Sequence, residues 1–167
     1  MKCNQDLEVC LRHHLEYGNL IWGPFYACDK ESVESVQRCA TKVIPQLREK
    51  TYEERLQALD LPSLEYRRNR GDMIQCFKIF NGLGRMKVDD LFTLVPPAAT
   101  RSSTFGHHLR ILRGKATNRT RTNAFSQRVI KNWNDLPKNV VEATSVNDFK
   151  NKLDECWEHK KFVTSAA

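Results

Sequence analysis

Apolar side chains recur at three- and four-residue spacing along most of this chain of 167 residues, and prolines or helix-capping residues separate the stretches. Such spacing places apolar groups on one face of an α-helix, whereas a half-buried strand alternates apolar and polar residues. We therefore predict a mainly α fold built as a small helical bundle. The predicted helices are residues 5–16, 29–44, 52–60, 63–81, 125–136 and 146–161.

The spacing of these helices predicts three segments. Residues 1–94 are predicted to form one helical domain, and residues 124–167 a C-terminal segment with two helices. Residues 95–123 are basic and begin with Pro, Ala, Ser and Thr, which is typical of a linker. Within this linker the run HHLRILR, residues 107–113, alternates weakly and is compatible with a short strand.

The helix at 29–44 is predicted to be amphipathic. Its polar side presents Glu34 and Arg38 four residues apart, a spacing that favours an ion pair on the surface. Its buried stripe is predicted to consist of Val33, Val36, Ala40, Val43 and Ile44.

The tripeptide Arg70-Gly71-Asp72, which adhesion receptors recognise in exposed loops, falls inside the predicted helix at 63–81. Ser63 is the candidate N-cap of this helix. Arg70 leans toward the apolar face, where we expect a structural role with a carboxylate such as Glu65 or Asp60. Asp72 points nearly the opposite way and is expected to form a surface ion pair with Arg68. The apolar face is predicted to carry Tyr66, Met73, Phe77 and Phe80.

Positive charge is concentrated in the middle of the chain. The net charge is +7, but residues 63–136 hold 14 Lys and Arg against 5 Asp and Glu, and no carboxylate occurs between Leu91 and Asn134. A long field of one sign favours a polyanionic partner, with nucleic acid the leading candidate. The alternative is a solvated basic loop that helps solubility.

The six cysteines do not form a zinc-binding pattern. No C-x-x-C occurs, and Cys10 with His13 and Cys156 with His159 are isolated pairs, whereas a structural zinc site needs four ligands in two tight clusters. We expect reduced thiols, no membrane partner and an intracellular location, nuclear or cytoplasmic. The longest uncharged apolar run, residues 17–28, is too short and too broken to span a bilayer, and the first residues lack a signal-peptide core.

The order of several blocks resembles the C-terminal end, thumb and post-thumb, of reverse transcriptases from non-LTR retrotransposons of the jockey and chicken-repeat type. The resemblance covers about Leu15 to Trp157, which is most of the chain. It implies that residues 1–94 form a thumb-like domain. The blocks are LEYGNLIWGPFY, VQRCATKVIPQL, YEERLQALDLPSLEYRRNRGDMIQCFKIFNG and FSQRVIKNWNDLPKNVVEATSVNDFKNKLDECW.

The resemblance implies that catalysis belongs to an upstream palm, whose aspartates hold two divalent metal ions. Asp89 and Asp90 are the only adjacent aspartates here, they lack the family's aromatic residue, and they suit the start of a helix better than a hairpin. We therefore expect no catalytic residue, no endonuclease domain and no cofactor in this chain. Any Mg²⁺ would belong to the palm.

A thumb grips the template–primer duplex through its phosphates, so the resemblance implies backbone contacts for Arg67, Arg68 and Lys78. The expected partners are RNA or DNA, bound without sequence preference, and the palm itself. The alternative is an inert fragment that folds poorly without its palm. The remaining candidate nucleic-acid-binding residues, taken from the carboxylate-free window, are Arg101, Arg110, Arg113, Lys115, Arg119, Arg121, Arg128 and Lys131.

Overall fold

The computed structural model describes residues 18, 23–24, 26–96, 107–114 and 118–163. These residues are mainly helical, which confirms the predicted fold class, and they contain eight α-helices and no β-strand. The helix predicted at 5–16 lies outside the described residues. The helices are α1 (Ala27–Lys42), α2 (Tyr52–Ala58), α3 (Leu64–Phe80), α4 (Val88–Leu91), α5 (Arg119–Thr122), α6 (Phe125–Asn134), α7 (Lys138–Val141) and α8 (Val146–Cys156), with short 3₁₀ turns at Pro45–Leu47 and Glu158–Lys160.

The chain divides into two compact units. The first comprises the described residues up to Asn69 together with those from Trp157 onward, and the second comprises Arg70–Cys156. This division differs from the three predicted segments. The described residues of the predicted linker belong to the second unit, because hydrogen bonds tie residues 107–114 to α6. The predicted strand there is reduced to a single antiparallel bridge between Leu94 and Ile111.

The interior face of α1 is polar, so the predicted stripe is wrong. Glu34, Gln37 and Thr41 are buried, whereas Val36 and Val43 are 45% and 76% exposed. Buried polar residues are tolerated when they are hydrogen-bonded, and each of the three makes at least one such bond, although Gln37 Oε1 has no partner among the described residues. The Glu34 carboxylate accepts hydrogen bonds from the Tyr52 hydroxyl at 2.7 Å and from the Leu64 amide at 3.1 Å. Arg38 pairs with Glu31 instead of Glu34.

Capping residues begin α2 and α3, and Ser63 is the predicted N-cap of α3. Thr51 and Glu54 form a reciprocal capping box at the start of α2. The Ser63 hydroxyl accepts the Tyr66 amide at 3.3 Å and donates to the Val163 carbonyl at 3.1 Å. Ser63 therefore caps α3 and fixes the end of the described chain within the first unit.

Aromatic rings form the centre of the second unit. Phe77 stacks on Phe149 with ring centroids 4.4 Å apart, and Phe80 stacks between Phe92 and Trp133. The apolar face predicted for α3 is confirmed, since Tyr66, Met73 and Phe77 are buried. The inward faces of α6 and α8 carry Val129, Trp133, Phe149 and Leu153, all of which are buried.

The Arg-Gly-Asp tripeptide lies in the middle of α3, as predicted, but Asp72 is not on the surface. Its carboxylate is 6% exposed and receives two hydrogen bonds of 2.8 Å from Arg128 of α6. Arg70 has the structural role expected of it. Its partner is Asp154 of α8, which it contacts at 2.5 and 2.7 Å, rather than Glu65 or Asp60. The Asp72 carboxylate is buried because α6 packs against that side of α3 and brings Arg128 to it.

None of the helices in the described ranges combines the length and the hydropathy that crossing a bilayer requires.

Candidate nucleic-acid interface

Residues 107–114, called here the basic segment, lie along helix α6. The Ile111 amide donates to Asn134 Oδ1, and Asn134 Nδ2 donates back to the Ile111 carbonyl, both at 2.9 Å. The Trp133 indole donates to the Leu109 carbonyl at 2.8 Å. At the other end, a Cβ built on Gly114 would be 3.5 Å from Gln127 Nε2. The basic segment therefore runs antiparallel to α6.

A second row of backbone hydrogen bonds holds the opposite edge of the basic segment. The Val95 amide donates to the Arg110 carbonyl at 2.9 Å, and the Leu112 amide donates to the Thr93 carbonyl at 2.7 Å. Ile111 is buried between these contacts. Hydrogen bonds on both edges hold the backbone of the basic segment. They therefore fix the positions from which the Arg110 and Arg113 side chains extend.

Three of the predicted cations are exposed: Arg113 on the basic segment, Arg121 on α5 and Lys131 on α6. These three residues are called here the basic face. Lys131 lies one helical turn after Gln127, which is the neighbour of Gly114, the residue that follows Arg113. Arg121 is in α5, and two residues separate the end of α5 from the start of α6. No carboxylate occurs in residues 91–134, but Glu142 lies 3.4 Å from His108 of the basic segment, and the exposed Asp135 follows Lys131 by one helical turn.

Arg110 differs from these three residues because it is half-buried. Its Nε is buried and has no hydrogen-bond partner within the described ranges. Buried polar groups are nearly always paired in folded proteins, so an unpaired one calls for an acceptor. A phosphate oxygen is an acceptor of the right charge for a guanidinium.

Arg128 is removed from the candidate interface. Both hydrogen bonds to Asp72 use its guanidinium, the side chain is 21% exposed, and the guanidinium lies 5.9 Å from the centre of the Phe125 ring. A guanidinium in a bidentate pair with a buried carboxylate serves the packing of α3 on α6. The expected phosphate contact from Arg128 is therefore corrected to a structural one.

The other predicted cations are placed less favourably or are not described. Arg67 and Arg68 are half-buried residues of the first unit, and each already makes a polar, electrostatic or ring contact. Lys78 is half-buried in the second unit. Arg101 and Lys115, together with the side chain of Arg119, lie outside the described residues.

His107, at the start of the basic segment, is the one titratable group that this framework encloses in the described part of the chain. Its ring is 3% exposed, sits edge-on to the Trp133 ring at 5.7 Å, and places Nε2 2.9 Å from the Trp133 carbonyl oxygen. Burial lowers the pKa of His107, and the hydrogen bond to Trp133 opposes that shift only in part. Burial likewise raises the pKa of the Cys76 thiol.

Asp89 and Asp90 lie in the first turn of α4, as the sequence predicted, and both are exposed. Within the described ranges, no three His, Cys, Asp or Glu side chains come together as a metal site would require.

Residue spacing did not reveal the groups that build the framework. Asn134 acts toward Ile111 as a neighbouring strand would, with one donor and one acceptor, and Asp72 neutralises Arg128 across 56 positions of sequence. Both were missed because an isolated Asn or Asp on a helix is far more often solvated. The carboxylate-free window was the only sequence signal for this surface. It did not indicate which of the cations are exposed and which are paired.

Together, the fold and this surface define a small helical module with a basic face. No protein-family model, no curated protein and no solved structure matches the chain.

Proposed function

We propose that this chain is a non-catalytic nucleic-acid-binding module, related to the C-terminal region of a non-LTR retrotransposon reverse transcriptase. In this proposal it binds RNA or DNA through the phosphate backbone and works inside the cell, in the nucleus or the cytoplasm. Its partners would be the nucleic acid and the polymerase palm, and any Mg²⁺ would be held by the palm.

The observation that carries the proposal is the basic face. Arg113, Arg121 and Lys131 are exposed, and Arg113 belongs to a segment whose backbone is held on both sides. Cations that neutralise phosphates release condensed counterions, and this release drives binding. Such contacts carry no base information, so binding is expected to be independent of sequence.

The basic face has a matched control on the first unit. Lys42, Arg48 and Lys50 are also exposed, also three in number, and lie outside the carboxylate-free window. The test compares the parent chain with the triple variants R113Q/R121Q/K131Q and K42Q/R48Q/K50Q. Because the two variants lose equal charge, any difference between them reports the location of the site and not the net charge.

Fluorescence anisotropy with a labelled single-stranded RNA and a labelled DNA duplex, at several salt concentrations, gives the slope of log affinity against log salt. Each phosphate contact contributes about 0.7 to 0.9 to this slope. We expect R113Q/R121Q/K131Q to flatten the slope by about 2 to 3 on every sequence, and K42Q/R48Q/K50Q to leave it within about 0.5 of the parent.

Two outcomes would count against the proposal. Equal flattening in both variants would mean that the chain attracts polyanions by net charge alone. A parent chain that lacks helical far-UV circular dichroism and cooperative unfolding would favour the alternative, an inert fragment that depends on its palm to fold.

A further inference from the structure

We propose that His107 is a pH-sensitive latch that fastens the basic segment to helix α6, so that acidification releases the segment and weakens phosphate binding. The latch itself is a property of the free protein. Only its effect on phosphate binding rests on the proposed function.

The hydrogen bond to Trp133 decides which nitrogen of His107 carries the proton. A carbonyl oxygen only accepts, so Nε2, 2.9 Å away, must donate. In the neutral ring Nδ1 is then an acceptor. It is buried and has no partner among the described residues. The folded structure therefore fits the neutral, Nε2-protonated ring.

Protonation of His107 would turn Nδ1 into a donor for which the described residues offer no acceptor, inside a site that is 3% exposed. An unpaired buried donor that also carries charge is strongly disfavoured. The ring would be solvated only if the segment moved off Trp133. Because the bonds from Trp133 to Leu109 and from Asn134 to Ile111 follow directly along the segment, the opening is expected to spread through residues 107–111.

The charged groups that face His107 do not offset this cost. On its own segment, His108 and Arg110 both act against a second positive charge. From the turn after α7, Glu142 favours the charged ring, but Glu142 is exposed and lies 3.4 Å from His108 and 3.8 Å from Lys138. Burial remains the largest influence on His107.

The direction of the pH effect follows from the lowered pKa of folded His107. An unfolded or released histidine titrates near pH 6.5. The folded chain therefore binds this proton less readily than the released chain does. Docking of the segment is complete above about pH 6.5, and is lost as the pH falls through the pKa of the folded state.

The first experiment follows the free, full-length chain by NMR between pH 7.5 and 5.0. The Trp133 indole N–H reports its bond to Leu109, and Trp157, in the first unit, is an internal reference. We expect the Trp133 indole signal to shift or broaden with a midpoint below 6.5, while the Trp157 signal stays in place. His107→Gln keeps a donor for the Trp133 carbonyl without a titrating ring, and is expected to abolish the transition. His108→Gln, at an exposed neighbour, is expected to retain it.

A direct titration guards against a Gln variant that fails to fold. The carbon-bound ring protons of His107 in the unmodified chain should titrate below about pH 6.5, the value of an unfolded histidine. If His107 titrates like an unfolded histidine and the Trp133 indole does not respond, the latch is overturned. A Trp133 transition that persists unchanged in a folded His107→Gln variant would overturn it as well.

The second experiment measures RNA affinity at pH 7.5 and 5.5 at one ionic strength. We expect the parent to lose roughly 5- to 30-fold at pH 5.5, the equivalent of one or two phosphate contacts near 0.15 M salt. His107→Gln should bind equally well or better at pH 5.5. No RNA binding at either pH would end the proposed function and leave the NMR result standing. Parallel losses in parent and variant would overturn the link between latch and affinity.

Discussion

Arg128 donates two hydrogen bonds of 2.8 Å to the buried carboxylate of Asp72. Arg70, which lies two residues before Asp72 in α3, bonds to Asp154. Two neighbouring positions of α3 thus hold two different helices, α6 and α8. The Arg-Gly-Asp tripeptide is used for packing inside the second unit. A receptor would need both side chains free and extended from a loop, and neither side chain meets that condition.

Replacing Asp72 by Asn tests how much the buried pair contributes to stability. The amide keeps the shape but leaves the Arg128 guanidinium without its counter-charge, and breaking a buried pair in this way costs about 3–5 kcal/mol. Because Arg128 is 21% exposed, we expect a somewhat smaller loss, about 2–4 kcal/mol, in the free energy of unfolding measured with urea.

The control for Asp72→Asn is Asp60→Asn. Asp60 also pairs with a cation, Lys161 at 2.6 Å, but its carboxylate is 79% exposed. Surface pairs contribute about 0–1 kcal/mol, and asparagine tolerates the positive φ of 49° at this position. Equal losses in the two variants would show that the Asp72 pair is no more important than a surface contact.

Asn134 lies at the end of α6, and its side chain completes the hydrogen bonds of the extended basic segment. A helix residue rarely has this role. Asn134→Ala leaves the amide and the carbonyl of Ile111 without partners. An unsatisfied buried polar group costs about 1–3 kcal/mol. We expect a loss of stability in that range and faster hydrogen exchange at the Ile111 amide. Asn147→Ala, at an exposed position of α8, should change neither, and continued protection of Ile111 in Asn134→Ala would contradict this assignment.

Helices α6 and α8 could be predicted from the sequence because their inward faces are apolar, with Val129 and Trp133 on one and Phe149 and Leu153 on the other. Helix α1 could be located but not oriented. Periodicity assigns the apolar side to the interior, whereas α1 turns Glu34, Gln37 and Thr41 inward. These groups are stable there because of partners elsewhere in the chain. Gln37 Nε2 donates to the Pro62 carbonyl at 3.2 Å, and Arg55 Nε donates to Thr41 Oγ1 at 3.3 Å.

The candidate site shows the same limit. The carboxylate-free window could be read directly from the sequence, because charge needs no knowledge of the fold. The sequence could not show which of its cations are exposed and which are paired. Arg128 and Arg113 are the same residue type, and they differ because Asp72 lies within hydrogen-bond distance of Arg128. His107 was likewise one of two adjacent histidines, and its burial depends on Trp133, 26 positions away. Periodicity reports local geometry, whereas these assignments depend on contacts between distant residues.

The last prediction concerns the thermal stability of the whole molecule when RNA binds to its concentrated positive charge. A ligand that binds only the folded state stabilises it by about 2.7 kcal/mol at 100 times its dissociation constant. For a chain of 167 residues, this corresponds to a rise in Tm of roughly 5 to 11 °C. We expect an RNA oligomer to produce such a rise in the parent and in K42Q/R48Q/K50Q at low salt, and a much smaller one in R113Q/R121Q/K131Q. Differential scanning fluorimetry measures it, with an uncharged polymer of similar length as the control. Equal shifts in all three chains would mean that the RNA responds to the net charge of +7 and that the basic face has no special part in binding.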